Sequence, residues 1–448
     1  MRYGIMTALA LFATIGFEQR ALAATLHVPA EYATIQAAIL AASDGDTIEI
    51  SPGTYVENLF ILSKGVALVG IGGAKVTTVR AATFGSVVET NNYATQSATR
   101  LQGLTITGGH TYFGGGLLAF GIAPVVVTDC VFDDNHSQYG YFGAAIAGWD
   151  PPFTIERCRF TNNEQQGDPQ FFAGVITMFA GSTATIRNNV FWHNDTRAIN
   201  LFTAHAPTVI ENNTMIGNRA GLYVNSGPTN TGIEIRNNII VNNLFGVECN
   251  DAHTYTLTLF ENNLVFGNTT NFFNAEVNPI GTNGNISVPA GLVNESAGDF
   301  HLAPGSPAID AGTAVGAPAD DIEHTMRPMD GNGDGISLFD IGAYEALGEL
   351  FDRCIQDDSN GNILKINSTT GDYRFTNCSG FTLGGIGTLM FKGNMTTLQH
   401  YAADRRVLAR IDSSAKRGTA SIQVFAYGRT FTITDRNTSN NTCTCAAP

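Results

Sequence analysis

Positive charge is scarce in this sequence. Of 448 residues only 24 are Lys or Arg, against 39 Asp or Glu, which leaves a formal charge of −15 and a pI near 4.9. A chain this acidic is a poor partner for nucleic acid or an anionic membrane, and it suits a polyanionic glycan only where calcium bridges the two. Long apolar runs are nearly absent too. The run at residues 5–17 is too short to cross a bilayer, no later segment is long enough, and no hydrophobic tail ends the chain. With Arg2 before it and Ala21-Leu22-Ala23 after it, that run reads as a secretory signal over residues 1–23. The mature protein is therefore expected to be secreted to the exterior or cell surface, soluble and monomeric. Charged residues make up only 14%, Gly is frequent at 49 and Pro modest at 15, a balance that fits a turn-rich β protein rather than a disordered one. No Cys/His zinc spacing and no Ser-His-Asp constellation can be supported.

What is present is a repeat. Residues 186–268 read as IRNNVFWHN, IENNTMIGN, IRNNIIVNN and FENNLVFGN, with the second Asn of each pair at 189, 213, 238 and 263. A period in the twenties is a solenoid signature, because one turn of chain cannot bury its own apolar side. Cys130 and Cys158 take the same position upstream. Around it run apolar columns, one at Val127, Ile155, Ile186, Ile210, Ile235 and Phe260, another at Phe132, Phe160, Phe191, Met215, Ile240 and Val265. A third column, five residues after the reference, is Asn135, Asn163, Asn194, Asn218, Asn243 and Asn268.

The segments are strand-length and β-branched, which predicts a parallel β-helix with turns stacked at about 4.8 Å. The apolar columns fill its interior. Asn columns mark bends, since Asn tolerates the left-handed backbone and its amide bonds both locally and to the amide stacked above. Two residues before the reference, Glu156, Arg187, Glu211, Arg236 and Glu261 alternate in sign, as expected of an outward face whose exposed pairs set register. Phe113, Phe142, Phe172 and Phe245 precede Gly or Ala-Gly and are expected to form an internal aromatic stack.

An Ala-rich amphipathic segment, roughly residues 32–42, places Ile35, Ile39 and Leu40 on one side and is expected to be a helix covering the N-terminal sheet edges. From there, TIQAAILAASDGDTIEISPGTYVE, continuing to VALVGIGGAKVTTV, resembles the first turns of the pectin-lyase-like superfamily of right-handed β-helices, which includes pectinesterases, pectate lyases and polygalacturonases. The resemblance implies the fold over about residues 25–305. It carries no activity with it: QDT, DFIFG, WIDH, NTD and RIK, the signatures of those enzymes, are all missing.

Further on, Ser306-Pro307-Ala308-Ile309-Asp310-Ala311-Gly312 and Asp340-Ile341-Gly342-Ala343-Tyr344-Glu345 resemble the choice-of-anchor Q element of secreted bacterial β-helix proteins. That resemblance implies an end to the helix, without chemistry. Arg327 is expected to pair with Asp310 or Asp340 as a structural contact. The expected division is a signal at 1–23, a right-handed parallel β-helix at 24–305, an end cap at 306–347 and a disulfide-linked β-sandwich-like module at 348–448. Cys354, Cys378, Cys443 and Cys445 can form two disulfides there in three connectivities. For the stacked Cys130 and Cys158, bonded and merely buried both stay open. Cys249 is left over.

Three neighbouring turns carry enlarged aromatic loops, with His110 and Tyr112, then His136 and Tyr139, then Asp168, and Trp149-Asp150 follow the second. Stacked turns should bring these into one wall. Aromatic faces among imidazoles and carboxylates suit sugar rings, so His110, Tyr112, Asp134, His136, Tyr139, Trp149, Asp150 and Asp168 are the candidate substrate-binding residues. No catalytic residue can be assigned. Asp330, Asn332 and Asp334 sit at positions 1, 3 and 5 of a Gly-rich loop that opens like a calcium site, and a structural Ca2+ is expected there, although Ile341 stands where such loops carry Glu. The expected function is binding of a polysaccharide or cell-surface glycan, with lyase or hydrolase cleavage as an extension. The competing reading is a non-catalytic adhesion or structural protein.

Overall fold

The protein is described by a computed structural model covering residues 23–347 apart from 139–141, 167–172, 180, 202–206, 225–231, 250–258, 276–277 and 333–335, and beyond them nine strands between Arg353 and Thr434. The chain winds into an all-β parallel solenoid with three faces. The first face stacks ten strands, from Thr25–Val28 to Leu259–Glu261. The second stacks nine, from Gly53–Val56 to Leu264–Phe266, and the third nine, from Leu59–Leu62 to Thr270–Phe273. Neighbouring turns pair in the register the repeat predicts: Ile155, Ile186, Ile210, Ile235 and Phe260 stack on the first face, and Phe132, Phe160, Phe191, Met215, Ile240 and Val265 on the second. All are buried, and the rings of Phe132, Phe160 and Phe191 stack at 5.2 and 4.7 Å. This is the internal aromatic stack. The four phenylalanines expected to form one do not: Phe113 is 41% exposed and packs edge-on to Phe142 outside the barrel, Phe245 lies half-buried against Phe273, and Phe172 falls outside the described residues. Phe113 and Phe142 precede the third-face strands Leu117–Gly121 and Ile146–Trp149 and do not sit in them, and neither ring joins the buried core.

Two amide ladders hold the corners. Asn189 Nδ2 donates to Asn213 Oδ1 at 3.0 Å, Asn213 to Asn238 at 3.0 Å, and Asn238 to Asn263 at 3.0 Å, with the matching backbone N–H bonded to the same oxygen each time. The second ladder runs likewise from Asn135 through Asn163, Asn194 and Asn218 to Asn243 and Asn268. The expectation gave one Asn both tasks, but the structure splits them. The ladder residues carry the stack, and the residue before each carries the left-handed bend: Asp129, Arg157, Asn188, Asn212, Asn237 and Asn262 at the first corner have φ between 50° and 56°. Cys130 and Cys158 are buried free thiols at the ladder position where the amides stop. Stacked side chains in parallel strands keep their Cβ atoms about 4.8 Å apart, beyond the 3.5–4.5 Å of a disulfide. Cys249 is also buried and free, and the four later cysteines lie outside the residues whose side chains are described.

The helix forms at Ile35–Ala41, with Thr34 capping the Ala37 N–H and Glu57 accepting from the N–H groups of Ile35 and Gln36 at 3.0 Å each. Ile35, Ala38 and Ile39 join the core, while Leu40, expected beside them, is 73% exposed because five residues carry it round to the other side. The Gln36 amide bonds both the N–H and the C=O of Phe60, the edge positions of the first third-face strand.

The 306–346 segment does not close the last turn. Residues 279–286 meet that turn instead, with Asn285 extending the first ladder and Ile286 bridging Leu264. From there the 306–346 segment, which we call the strap, runs back along the flank. Asn262 donates to Ala311 O at 2.9 Å, Asn237 to Thr313 O at 2.9 Å, Asn188 to Asp320 O at 2.7 Å, and His324 reaches Asp129 at 3.1 Å. The strap returns over the outer second face, where Val190, Ile216, Ile239, Val241 and Leu264 form a second core with Phe300, Ala308, Ile322, Ile341, Ala343 and Tyr344. The alternating charges lie under it. Glu211 and Arg236 are 2% and 4% exposed and bond at 3.2 Å, so these are covered pairs and not the exposed ones expected. Arg327 pairs with Glu345 at 2.8 Å and with the carbonyls of Asp340 and Gly342, not with either expected aspartate. Asp340 instead accepts from the Asp310 and Ala346 N–H groups. Beyond the strap, strands such as Asp372–Asn377 and Phe381–Ile386 pair antiparallel.

Candidate functional site

One corner of the solenoid is built differently. Between the second and third faces, His110–Thr111, His136–Ser137 and Glu164–Gln165 pair as a short parallel sheet, which stacks His110, His136 and Glu164 on successive turns. Each follows a ladder position directly, so the amide ladder that fixes the corner also fixes this row. His136 sits between two carboxylates, with Nε2 at 3.0 Å from Asp134 Oδ1 and Nδ1 at 3.0 Å from Glu164 Oε2. Asp134 reaches back to it because it takes the left-handed bend at φ 57°. Gln138 donates its amide to His110 Nε2 at 3.1 Å. Phe84 packs against His110 and Tyr112 at 5.4 and 5.2 Å, and the outer rings Phe84 and Tyr112 are 53% and 41% exposed.

The row continues past the short sheet. Asp195 and Arg219 follow the ladder residues Asn194 and Asn218 just as Glu164 follows Asn163. Burial, then the charge of Glu164, pushes the Asp195 carboxyl above the usual range, against the pull of Arg219 and His136. Burial, then the like charge of Arg197, lowers Arg219, whose Nε has no hydrogen-bond partner. Behind it Arg197 grips Glu248 with two bonds of 2.7 and 2.8 Å and lies over Tyr223 at 4.6 Å.

Of the residues expected in one wall, the structure gathers His110, Tyr112, Asp134 and His136. Trp149 ends the third-face strand Ile146–Trp149 with Asp150 after it, and meets the loop rings Phe113 at 6.3 Å and Phe142 at 5.0 Å. Trp149 is sandwiched between Phe120 at 5.3 Å and Phe179 at 4.5 Å, so both ring faces are taken. Asp150 accepts from Tyr93 at 3.1 Å, and burial followed by that contact raises the phenol. Tyr139 and Asp168 lie outside the described residues. Glu164, Asp195, Arg219 and Phe84 were not among the expected set. The first three are legible in the column one residue past the second Asn ladder, which is titratable from His136 to Arg219.

At the calcium-like turn, Asp330 and Asn332 are described and Asp334 is not. The Asn332 N–H donates to Asp310 Oδ2 at 3.2 Å, and the Asp310 carboxyl is raised by burial and, less, by Asp330. Among the described residues no three His, Cys, Asp or Glu side chains are grouped to hold a metal, and no helix is long and apolar enough to cross a membrane.

Three stacked faces with ladder corners define a parallel β-helix. Residues 56–234 and 172–288 match the family described as right handed beta helix region, together spanning just over half of the 448 residues. The chain belongs to this family. No curated protein matches it. Among solved structures it is similar to pectate lyase Pel9A, at 15% identity over 73% of this chain and 97% of that one, with a TM-score of 0.40. It is also similar to a pectin methylesterase from Aspergillus niger, at 14% identity over 60% and 90% with a TM-score of 0.34, and to one from carrot, at 14% over 54% and 85% with a TM-score of 0.25.

Proposed function

We propose that the protein is exported and binds a polysaccharide along the row His110, His136, Glu164 and Asp195. The observation that carries this reading is the in-register stack itself. Three turns present half-buried hydrogen-bonding side chains at one strand spacing, about 4.8 Å, beside the exposed rings of Phe84 and Tyr112. A linear glycan offers hydroxyls and C–H patches at a repeat that such a row can meet several times over. The leader-like residues 1–23 support export, and the anchor-like motif in the strap is compatible with surface display. Calcium at Asp330, Asn332 and Asp334 belongs to the same proposal, supported by their spacing in the sequence.

Cleavage is the second reading, and the raised Asp195 carboxyl favours it. Glycoside hydrolysis needs one carboxyl that keeps its proton and one that does not, about 5–9.5 Å apart. Asp195 and Glu164 sit one turn apart in one column, with Asp195 the group pushed toward the protonated form. Adhesion without chemistry remains the competing class.

One experiment separates these. The chain from Ala24 onward is titrated with neutral and acidic polysaccharides, with calcium or with chelator, while new reducing ends and unsaturated ends are followed. Glu164→Gln and His136→Ala should weaken binding about tenfold or more, the cost of a charge-assisted hydrogen bond, and Asp150→Asn should not. Reducing ends lost in Asp195→Asn indicate hydrolysis, and unsaturated ends a lyase. Binding without product indicates adhesion. A folded protein that binds no polysaccharide overturns the reading.

A further inference from the structure

The outer surface of the second face changes character along the helix. From Val190 onward its outward columns are apolar except at Thr214, with Val190 and Trp192, Ile216, Ile239 and Val241, then Leu264 and Phe266, and these carry the strap. On the three turns before, the same columns read Thr105 and Thr107, Val131 and Asp133, Arg159 and Thr161. Their side chains are half-buried, and the second core meets them at Arg159, through Tyr344. A floor of polar side chains therefore lies open between two walls. One wall is the corner that holds Asp134, His136 and Glu164. The other is the edge of the strap.

That edge is a network of hydrogen-bonding groups. Arg159 Nη2 donates to the Tyr344 hydroxyl at 2.7 Å and lies 3.8 Å from Glu323 Oε1. Glu323 Oε2 is 3.1 Å from His301 Nε2, and His301 Nδ1 is 2.6 Å from Asp299. The imidazole rests against the Tyr344 ring at 4.3 Å. Tyr344 is buried, but the side chains of Glu323, His301 and Arg159 stay 25, 28 and 35% exposed, so each keeps part of its polar surface open to a ligand. From Arg159 to Glu164 is five residues, at most about 17 Å of chain, which an oligosaccharide spans.

We propose that Arg159, Glu323 and His301 form a second subsite, and that a neutral glycan crosses the outer second face from the His136 corner to the strap. The inference rests on the glycan reading above and extends it to a ligand class. The wall pairs its cations with its anions and offers donors and acceptors in fixed positions, which suits uncharged vicinal hydroxyls. The corner row holds three carboxylates, Asp134, Glu164 and Asp195, against Arg219, and that excess disfavours an acidic sugar.

The test uses the chain from Ala24 onward and isothermal titration with di- and hexasaccharides of β-linked glucose, xylose, mannose and N-acetylglucosamine, and with oligogalacturonate. The wall predicts that Glu323→Gln and His301→Gln each weaken a neutral hexasaccharide about tenfold and leave the disaccharide unchanged, with unfolding temperature as the control. Should either variant unfold, the native chain answers instead: bound hexasaccharide should slow diethylpyrocarbonate modification of His301 and not of His27, whose side chain is 46% exposed. If Glu164→Gln weakens binding while Glu323→Gln, His301→Gln and the His301 protection show no effect, the second subsite is wrong and the glycan reading stands. Preference for oligogalacturonate overturns the neutral class. No binding by any sugar overturns both.

Discussion

At the scale of single residues, the solenoid depends on amides that have no spare capacity. Asn213 donates to Ile186 O at 2.9 Å and to Asn238 at 3.0 Å, and its oxygen accepts two bonds from Asn189 at 3.0 Å. It is fully buried. Asn213→Ala removes one side chain and leaves two Asn189 donors and the Ile186 carbonyl short of a bond, each worth roughly 1–3 kcal/mol if nothing replaces it, while Asn238 Oδ1 keeps the bond from the residue-213 N–H. We expect a loss of about 3 kcal/mol, read as a lowered midpoint in urea unfolding. A loss well under 1 kcal/mol would show that water or neighbouring carbonyls replace the ladder and that it does not hold the register. The identity of the ladder residues was legible from spacing alone. Which of the two adjacent Asn took the left-handed bend was not, because both tolerate it and only the direction of the corner decides.

At the scale of elements, the strap is fastened by charges that answer to pH. His324 lies between Asp129 at 3.1 Å and Asp320 at 3.2 Å, with Arg157 bonded to both of those carboxylates at 3.0 and 3.3 Å and to Glu156 at 2.8 Å. Burial alone would lower the imidazole, but the hydrogen bonds to Asp129 and Asp320 outweigh it and push it up to about 9. A pKa raised from 6.5 stabilises the docked strap fully below 6.5, and that contribution disappears as the pH rises through 9. Burial also pushes Asp340 up to about 7, so its penalty on the folded strap builds as the pH rises from the ordinary carboxylate range to 7 and stays constant above that. Asp129 and Asp320 are held below the usual range despite burial, chiefly by His324, and their contribution fades only in acid. Strap docking should therefore weaken up to about pH 9, with His324 as the cause between pH 6.5 and 9. The His324 side chain is 34% exposed, so solvent screening reduces its share to on the order of 1–2 kcal/mol. Hydrogen exchange of the Asp321 and Thr325 amides is the measurement, and His324→Gln should flatten the part of the profile near pH 9. Protection that stays level from pH 6 to 10 would contradict the clasp.

At the scale of the whole molecule, the repeat carried the fold and the strap did not show itself. Alternating apolar residues, an amide column and strand-length segments are periodic, so a stack of turns followed from them. The position of residues 306–346 is a single long-range docking with no period to read. A trace of it was present: from Val190 the two outward columns of the second face turn apolar at every position but Thr214, although an outward position on a solvated strand has no reason to be. The candidate site was half legible for the same reason. His110, Asp134 and His136 stand in the repeat, whereas Trp149 meets the enlarged loops through Phe113 and Phe142, by a loop packing that no period encodes. The docking also predicts how the chain tolerates being cut. A chain ending at Leu347 keeps the strap and its second core, so it should unfold at the temperature of the full chain and stay dispersed. A chain ending at Gly305 leaves Val190, Ile216, Ile239, Val241 and Leu264 bare, each side chain losing burial worth roughly 1.5–3 kcal/mol. It should bind an apolar dye and associate through the exposed face, measured by light scattering. If the shorter chain remains monomeric and melts with the longer one, the outer core contributes nothing to stability, and the apolar turn at Val190 needs another explanation.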